Sequence, residues 1–396
     1  MTLLYVIAGE ASGDVLGARL ITALRQRRPE LDFAGVGGER MAEQGFASLF
    51  PMRELALMGL LEVLPKIRSL SRRLDETVAD IQARRPAAVI TIDSPGFTLR
   101  VGARVKAMGI PVIHYVAPQV WGWRQGRAKK LPAKLDRILA LLPFEAPFFE
   151  PHGIPVDFVG HPVLESGADR GDGVRFRAKH GLAANERLLI VMPGSRRTEV
   201  SRLLPVFGQT LALLPPGIRA VVPLAGPVED TVRAATAHWP RQPILVRDIA
   251  EKYDAFAAAE AGLIKSGTSS LECAVAGLPH VVGYRVNPIT AMIVRRMLKV
   301  RFVSLVNLMA EREVVPELLQ EACNPATLAA TLAPLLEGGG ARARQLEGFA
   351  DALARLTPAE GTPSAAAAEA VLRAVSGALP PDPHQGAPPL GSPPGP

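Results

Sequence analysis

Residues 3–14 read LLYVIAGEASGD, a short apolar run followed by a turn that contains two glycines. The run Leu3–Ala8 has the uninterrupted hydrophobicity typical of a strand buried on both faces of a parallel sheet. Residues 15–28 have helical periodicity, and Pro29 follows them directly. A strand, a tight turn and a helix in this order predict the first unit of a doubly wound α/β sheet.

The same pattern recurs along the chain. Apolar runs of strand length alternate with helical segments at residues 31–36, 87–92, 111–116, 188–192, 220–224, 244–246, 263–265 and 281–284. The polar, glycine-bearing stretch at 165–181 interrupts the pattern and is interpreted as an interdomain linker. We therefore predict an α/β protein with two Rossmann-like domains facing a cleft.

Composition sets limits on the class of protein. The 396 residues exceed the usual length of one domain, and a hydrophobic fraction of 48% provides enough apolar side chains for a core. Two cysteines, Cys273 and Cys323, are too few for a disulfide scaffold and are typical of a reducing compartment. We find neither a signal-peptide pattern nor an apolar run of ~18 residues, so we expect a soluble intracellular protein. Residues 377–396 hold eight prolines and four glycines, which predicts a disordered tail.

Three turns between a strand and a helix are candidate phosphate sites. The turn at 9–13 lacks the G-x-G-x-x-G pattern, and a tight βα turn explains its glycines equally well. Gly194, Ser195 and Arg196 form a better candidate, because glycine permits close approach of the backbone and arginine offers a forked donor for a diphosphate. The alternative is a capped helix with a solvent-exposed arginine.

The third turn contains Ser266, Gly267 and Thr268 and precedes another helix. Backbone N–H groups at a helix start favour a phosphate, and Glu272, about one turn into the helix, is placed to reach the ribose hydroxyls of a nucleotide. A plain serine- and threonine-rich helix cap remains the alternative interpretation.

One carboxylate and two histidines are candidate acid–base groups of the N-terminal half. Asp93 ends an apolar run, where ligands of α/β sheets bind, and is predicted to be a general base. An Asx turn before Pro95 is the alternative. His114 lies inside a predicted strand, where most histidines are satisfied core residues, and His161 fits either a site or a hinge. We find no H-E-x-x-H, C-x-x-C, calcium-loop, Walker A or G-x-S-x-G pattern, so no protein-bound metal is indicated.

The net charge is +7, and the basic residues cluster. Residues 100–137 contain nine Lys or Arg and one acid, Asp136, and residues 285–301 contain five bases and no acid. A predicted amphipathic helix over 64–81 adds an apolar face beside further arginines. This mixture suits an anionic membrane surface better than a nucleic-acid track, and a solvated basic face is the alternative. The predicted membrane-facing residues are Leu64, Ile67, Arg68, Leu70, Arg72, Arg73, Arg295 and Arg296.

Taken in order, the motifs resemble those of lipid-A-disaccharide synthases. The resemblance covers about residues 3–375 and rests on ten motifs in register: AGEASGD at 8–14, GVGG at 35–38 with Met41, MGLLEVL at 58–64, HYV at 114–116 with WGWR at 121–124, LPFE at 142–145, VGHP at 159–162, PGSR at 193–196, SGT at 266–268, VGYR at 282–285 and SLVN at 304–307. Two positions depart from the family: Gly96 stands where a second aspartate is common, and Val306 where proline is common.

The resemblance implies a metal-free, cofactor-free glycosyltransferase with the B-type fold. Such enzymes join UDP-2,3-diacylglucosamine to 2,3-diacylglucosamine 1-phosphate and release UDP, with inversion at the anomeric carbon. The resemblance places UDP in the C-terminal domain, adds Asn307 to the donor-binding residues and retains Asp93 as the base. It places the acceptor in the N-terminal domain, where the acceptor or cleft candidates are Glu10, Ser12, Gly13, Asp14, His114, Trp121, Arg124 and His161.

We accordingly expect an acceptor-binding domain over 1–168, a UDP-sugar domain over 169–344, and helices over 345–376 that return to the first domain. A cytoplasmic protein held peripherally at the inner membrane is expected. Two other functions stay open from sequence alone: a UDP-N-acetylglucosamine 2-epimerase on the same fold, and a basic nucleic-acid-binding module.

Overall fold

The computed structural model describes residues 2–55, 60–121, 125–183, 185–239, 241–287, 291 and 301–376, with 60–67 described as backbone only. The chain divides into two compact units. The first contains the described residues up to Trp121, then Gly126–Val159 and the residues from Ser364; the second contains Gln125 and Gly160–Pro363. The predicted tail at 377–396 lies outside the described residues.

A six-stranded parallel sheet forms the centre of the first unit. Its strand order is β2-β1-β3-β4-β5-β6. The strands are β1 (Thr2–Ala8), β2 (Leu31–Val36), β3 (Ala88–Ile92), β4 (Val112–Tyr115), β5 (Arg137–Ala140) and β6 (Val156–Phe158). The helices are α1 (Ala11–Arg27), α2 (Glu39–Ala42), α3 (Leu60–Arg84), α4 (Pro95–Lys106) and α5 (Glu145–Phe149).

Side chains of the first sheet alternate between two cores, as the two-residue period of a strand requires. Ile90 and Ile92 pack in one core with residues of α1, whereas Val89 packs in the other with residues of α3 and α4. Because helices cover both faces, β1 is apolar from Leu3 to Ala8, which is the pattern that the sequence predicts.

The second unit repeats this architecture with the strand order β12-β11-β10-β7-β8-β9, again all parallel. Its strands are β7 (Arg187–Met192), β8 (Ile218–Pro223), β9 (Ile244–Val246), β10 (Ala261–Lys265), β11 (His280–Tyr284) and β12 (Glu317–Leu319). Its helices are α6 (Gly173–Lys179), α7 (Arg197–Leu213), α8 (Glu229–Thr236), α9 (Ile249–Ala258), α10 (Ser269–Val275), α11 (Leu305–Ala310), α12 (Pro325–Glu337) and α13 (Gly340–Ala354). The predicted α/β class with two successive parallel sheets is confirmed.

The last helix, α14 (Pro363–Val375), returns to the first unit, where Ala367 and Val371 are fully buried in the core that contains Ile90. The expectation that all of residues 345–376 would do so is wrong for α13. Gln345 of α13 bonds the backbone N–H and carbonyl of His280, at 2.8 and 3.1 Å, and the Phe349 ring stacks on the His280 imidazole. These contacts fix α13 to the second unit.

Candidate functional site

A pocket of about 230 Å³, open to solvent, lies in the second unit where β7 and β10 end. These two strands are hydrogen-bonded neighbours, so the turns that follow them meet at one edge of the sheet. This is the edge where ligands of open α/β sheets bind. The residues of the two predicted phosphate turns that line it are Gly194, Ser195, Ser266, Gly267 and Thr268.

The first of these turns requires glycine at position 194. Gly194 has φ +112°, and a Cβ there would lie 2.6 Å from Glu199 Oε2. Arg196 precedes α7, and its backbone N–H donates to Glu199 Oε2 at 3.4 Å, which closes the turn onto the helix. The Arg196 side chain is 73% exposed, and its guanidinium is 3.4 Å from Glu199 Oε1. The turn is therefore capped and its arginine reaches solvent, as the alternative interpretation predicts, and the role of Arg196 toward a diphosphate stays a prediction.

The second turn begins with Ser266, whose hydroxyl donates to the Val303 carbonyl at 2.8 Å. Gly267 follows with φ +153°, and α10 begins at Ser269. This hydrogen bond holds the turn against the segment that precedes α11. Thr268 is exposed and lines the pocket.

Glu272 lines the same pocket, one turn into α10, as its spacing predicts. Its Oε1 accepts hydrogen bonds from Lys252 Nζ at 2.9 Å and from the Tyr253 hydroxyl at 3.1 Å, both on α9. These donors hold the carboxylate in one position and leave Oε2 available for a further donor such as a ribose hydroxyl.

The carboxyl ends of β3 and β4 in the first unit carry an unusual run of left-handed residues. Asp93, Ser94 and Val116 have φ values of +49°, +47° and +76°, which L-residues rarely adopt. Such backbone strain is concentrated at active sites and ligand clamps. The Asp93 N–H donates to the Tyr115 carbonyl at 2.9 Å, and the Thr98 hydroxyl donates to the Asp93 carbonyl at 2.7 Å. Asp93 is half-buried, with Oδ1 2.7 Å from the Ser94 N–H, so its other oxygen is open to a proton donor.

Comparison with known proteins identifies the family of this chain. A family model described as lipid-A-disaccharide synthetase matches residues 4–371. The chain is 55% identical over 384 residues to the lipid-A-disaccharide synthase of Granulibacter bethesdensis, which covers 93% of this chain and 98% of that protein. Identity to the Pseudomonas aeruginosa lipid-A-disaccharide synthase is 44% over 374 residues, covering 93% and 97%. The chain belongs to the lipid-A-disaccharide synthase family.

Solved structures support the fold alone. A Staphylococcus aureus MnaA–UDP structure aligns with a TM-score of 0.65 and 14% identity, covering 95% of this chain and 97% of that chain. Acinetobacter baumannii MurG aligns with a TM-score of 0.56 and 13% identity, covering 95% and 100%. Epimerases and glycosyltransferases therefore share this architecture, and membership of the lipid-A-disaccharide synthase family decides between them.

Asn307 does not line the pocket that the turns at 194–196 and 266–268 share. It is fully buried on α11, where Nδ2 donates to the Val315 carbonyl and to Glu317 Oε1, each at 2.8 Å. Its Oδ1 accepts from the N–H groups of Val314 and Val315 at 2.8 and 2.9 Å. Since all four hydrogen-bonding positions of the amide are occupied, Asn307 holds the segment before β12 in place and has none left for a nucleotide.

Asp14 has a similar structural role in the first unit. Its carboxylate is buried and accepts from the N–H groups of Gly38, Arg40 and Met41, at 2.8 to 3.1 Å, which caps the start of α2. Gly13 is buried, and a Cβ there would lie 3.4 Å from the Ile92 carbonyl. Glu10, Ala11 and Ser12 of this turn are exposed, at the start of α1.

The two candidate histidines are buried and neutral at pH 7, since burial lowers the pKa of each to about 4. His114 Nδ1 lies 2.8 Å from the Thr91 hydroxyl, and its Nε2 has no hydrogen-bond partner among the described residues. His161 Nδ1 accepts from the Val163 N–H at 3.1 Å and so caps a short 3-10 turn, which favours the hinge interpretation.

Sequence reasoning missed a buried carboxylate beside Trp121. Glu145 Oε1 accepts from the Trp121 indole N–H at 3.2 Å, and its Oε2 accepts from the N–H groups of Leu141 and Leu142. Burial raises the pKa of Glu145 to about 7. The LPFE motif contains this glutamate, but only the fold shows that it anchors Trp121. Arg124 lies outside the described residues.

The predicted membrane-facing helix is α3, and part of its apolar stripe faces the core instead. Leu70 and Leu74 pack against the core cluster that contains Val89. Arg73 is half-buried, pairs with Glu54 at 2.7 Å and with Glu76 at 2.6 Å, and lies over the Phe50 ring. Leu70 and Arg73 are therefore not membrane-facing, whereas Arg68 and Arg72 are exposed. The side chains of Leu64, Ile67, Arg295 and Arg296 lie outside the described residues.

Within the described residues, no helix is both long and apolar enough to span a bilayer. The same part of the chain contains no group of three His, Cys, Asp or Glu side chains placed to hold a metal ion.

Proposed function

We propose that this member of the lipid-A-disaccharide synthase family transfers the diacylglucosaminyl group of UDP-2,3-diacylglucosamine to the 6-hydroxyl of 2,3-diacylglucosamine 1-phosphate. The bond between the anomeric carbon and the UDP oxygen breaks, and a bond from the acceptor oxygen to that carbon forms on the opposite face. The acceptor proton passes to Asp93, and UDP leaves with the bonding electron pair. The observation that carries the proposal is the pair of glycine turns around one pocket in a chain with close relatives of this family.

The residues of the two sites have different proposed chemical roles. Asp93 offers a carboxylate oxygen at a strand end, held in a strained backbone conformation that the neighbouring N–H and hydroxyl groups stabilise. The turns at 194–196 and 266–268 would surround the diphosphate, and Glu272 would accept a ribose hydroxyl. Arg196 would stabilise the negative charge that grows on the leaving diphosphate.

The decisive experiment incubates the purified protein with the UDP-diacyl sugar and the monosaccharide phosphate and detects products by mass spectrometry. We expect equal amounts of UDP and a β-1,6-linked disaccharide 1-phosphate. A parallel reaction with UDP-N-acetylglucosamine alone tests for 2-epimerisation. Epimerised sugar without disaccharide, or no product in either reaction, contradicts the proposal.

Replacing Arg196 tests whether its side chain contributes to binding of the diphosphate. Arg196→Ala is expected to weaken UDP binding by about tenfold, because one charge-assisted hydrogen bond contributes ~1.5–3 kcal/mol and the exposed position reduces this. Arg197→Ala is the matched control, since Arg197 is an exposed arginine at the next position. Isothermal titration with UDP measures both, and equal affinities of the two variants would remove Arg196 from the site.

We further propose that the protein associates peripherally with an anionic membrane surface, where acylated substrates reside. Arg100, Arg104, Arg127, Lys129 and Lys130 of the 100–137 cluster are exposed, and of these Arg104 is ion-paired, as are the half-buried Lys106 and Arg137. Exposed bases near an anionic leaflet each contribute about 1 kcal/mol.

Co-sedimentation with vesicles tests this association. Binding to vesicles containing phosphatidylglycerol is expected at low salt, with loss at high salt and with neutral phosphatidylcholine alone. The double variant Lys129→Glu, Lys130→Glu should bind less than the control Arg241→Glu, Arg344→Glu, which reverses two exposed arginines of the second unit. If the two double variants bind the vesicles equally well, the membrane association belongs to another surface. If the wild-type protein does not bind the anionic vesicles at low salt, the proposed association is refuted.

A further inference from the structure

The donor pocket contains two lysine–glutamate pairs that the sequence patterns do not indicate. Lys265 Nζ lies 3.1 Å from Glu199 Oε1, and Lys252 Nζ lies 2.9 Å from Glu272 Oε1. All four side chains line the pocket, and each is at most 22% exposed. Each ammonium group is thus already held against a carboxylate.

These pairs leave the charged side chains lining the pocket with no net charge. A nucleoside diphosphate brings two to three negative charges, and a site that binds it needs positive charge close to its oxygens. Beside Arg196, a lysine of these pairs would supply such charge if it offered protons to the phosphates as well as to its glutamate. An ammonium group has three N–H donors, so one lysine serves both.

The geometry distinguishes the two lysines. Lys265 is the last residue of β10 and immediately precedes the Ser266–Thr268 turn, while its partner Glu199 belongs to the helix that follows the other turn. Its ammonium group is 3.6 Å from the place that a Cβ on Gly267 would occupy and 5.7 Å from the centroid of the Tyr284 ring. Lys265 therefore connects the two glycine turns.

Lys252, in contrast, lies on the α9 side of the pocket. Its ammonium group is 4.7 Å from the centroid of the Tyr253 ring and 5.8 Å from that of Phe256, and its carboxylate partner is Glu272. Because Glu272 is the expected ribose ligand, Lys252 is placed to orient that carboxylate rather than to meet the phosphates.

We propose that Lys265 binds the diphosphate of the donor nucleotide and that Glu199 is its positioning residue. This inference rests on the proposed function, since it assigns a ligand group to the same pocket. Glu199 accepts from Lys265 and also from the Arg196 N–H, so one buried carboxylate fixes the two cationic residues relative to the Gly194 turn. The Tyr284 ring also lies near the Lys265 ammonium group, and burial together with the Glu199 charge raises the pKa of the Tyr284 hydroxyl.

The test compares ligands that differ only in the number of phosphates. Affinities of uridine, UMP and UDP are measured by isothermal titration for the full chain and for Lys265→Ala. Loss of a charge-assisted contact should lower UDP affinity by about 10- to 100-fold. Uridine affinity should change by no more than about twofold, because the base and ribose contacts remain. Lys265→Arg, which keeps the positive charge, should retain more UDP affinity than Lys265→Ala.

Two further variants keep the result interpretable. Lys265→Ala leaves Glu199 without its partner and could lower stability, so the double variant Lys265→Met, Glu199→Gln removes both charges together. It should show the same selective loss for UDP with a thermal midpoint near that of the wild type. Lys179→Ala is the matched control, since it breaks a lysine–glutamate pair of 2.8 Å with Glu251 outside the pocket, and its UDP affinity should be unchanged.

The outcomes separate the two proposals. If the wild type binds no UDP, the proposed function fails and the inference fails with it. If the wild type binds UDP and Lys265→Ala binds it equally well, only the inference is overturned. Equal losses for uridine, UMP and UDP also overturn it, because they assign Lys265 a role in shaping the pocket rather than in binding phosphate.

Discussion

Asp93→Asn is expected to lower kcat by about 10²–10⁴-fold, the usual contribution of a positioned general base. Asparagine has nearly the same shape and can still accept the Ser94 N–H that Asp93 Oδ1 accepts at 2.7 Å. It also tolerates the left-handed conformation at φ +49° better than most residues. The variant therefore removes the basic oxygen while leaving the turn in place, and initial-rate measurements of disaccharide formation report the loss.

The control for this variant is an aspartate in the same unit that makes no contact with the turn. Asp75 is exposed and pairs with Arg104, so Asp75→Asn should keep wild-type turnover within about twofold. UDP affinity of Asp93→Asn should also stay near that of the wild type, since every described residue that lines the donor pocket lies in the second unit. Turnover of Asp93→Asn close to that of Asp75→Asn would assign the base to another group, and Glu145→Gln would then be the next variant to measure.

The fold could be predicted from sequence because its signals are local. Leu3–Ala8 is apolar throughout since it is covered on both faces, and the turn after it follows the strand directly. The turns at 194–196 and 266–268 were predicted in the same way, because glycine and hydroxyl residues after a strand mark the edge where a sheet binds ligands, and residues of both turns line one pocket. In each case the residues that give the signal lie within one strand–turn–helix unit.

The errors arose where a side chain is satisfied by residues distant in sequence. Asp14 resembles a ligand of its own turn, but its three donors lie 24 to 27 residues later. The hydrogen-bonding positions of the Asn307 amide are occupied by a segment that folds back onto it. The stripe on α3 shows a further limit: an amphipathic pattern indicates that one face is covered, but the period is the same whether a sheet or a lipid surface covers it.

The missed residues have the same cause. Lys265 and Glu199 are 66 positions apart and become partners only because β10 lies beside β7. A lysine at the end of a strand and a glutamate in the first turn of a helix are each ordinary in sequence. Their significance comes from the strand order, which propensity and spacing do not specify.

Gly9→Ala is expected to lower kcat by about 100-fold, although Gly9 has no reactive group, because a shift of ~1 Å at a catalytic group costs that much. Gly9 follows β1, and a Cβ there would lie 2.5 Å from both Cβ and Oγ of Ser94. Carbon atoms do not approach so closely, so the added methyl group must push the Ser94 turn away from β1. Asp93 would move with this turn, since its carboxylate accepts a hydrogen bond from the Ser94 N–H.

The structure also provides a rescue for this variant. Ser94 Cβ and Oγ are the two atoms that lie within 4 Å of the position the new methyl group would take, and Ser94→Gly removes both while tolerating φ +47°. The double variant Gly9→Ala, Ser94→Gly should therefore recover turnover to within about threefold of Ser94→Gly alone, the range expected when two substitutions no longer interact. UDP affinity should be the same in all three variants. If the double variant stays as slow as Gly9→Ala, the loss does not come from the clash with Ser94, and the close approach of the two turns is not what positions Asp93.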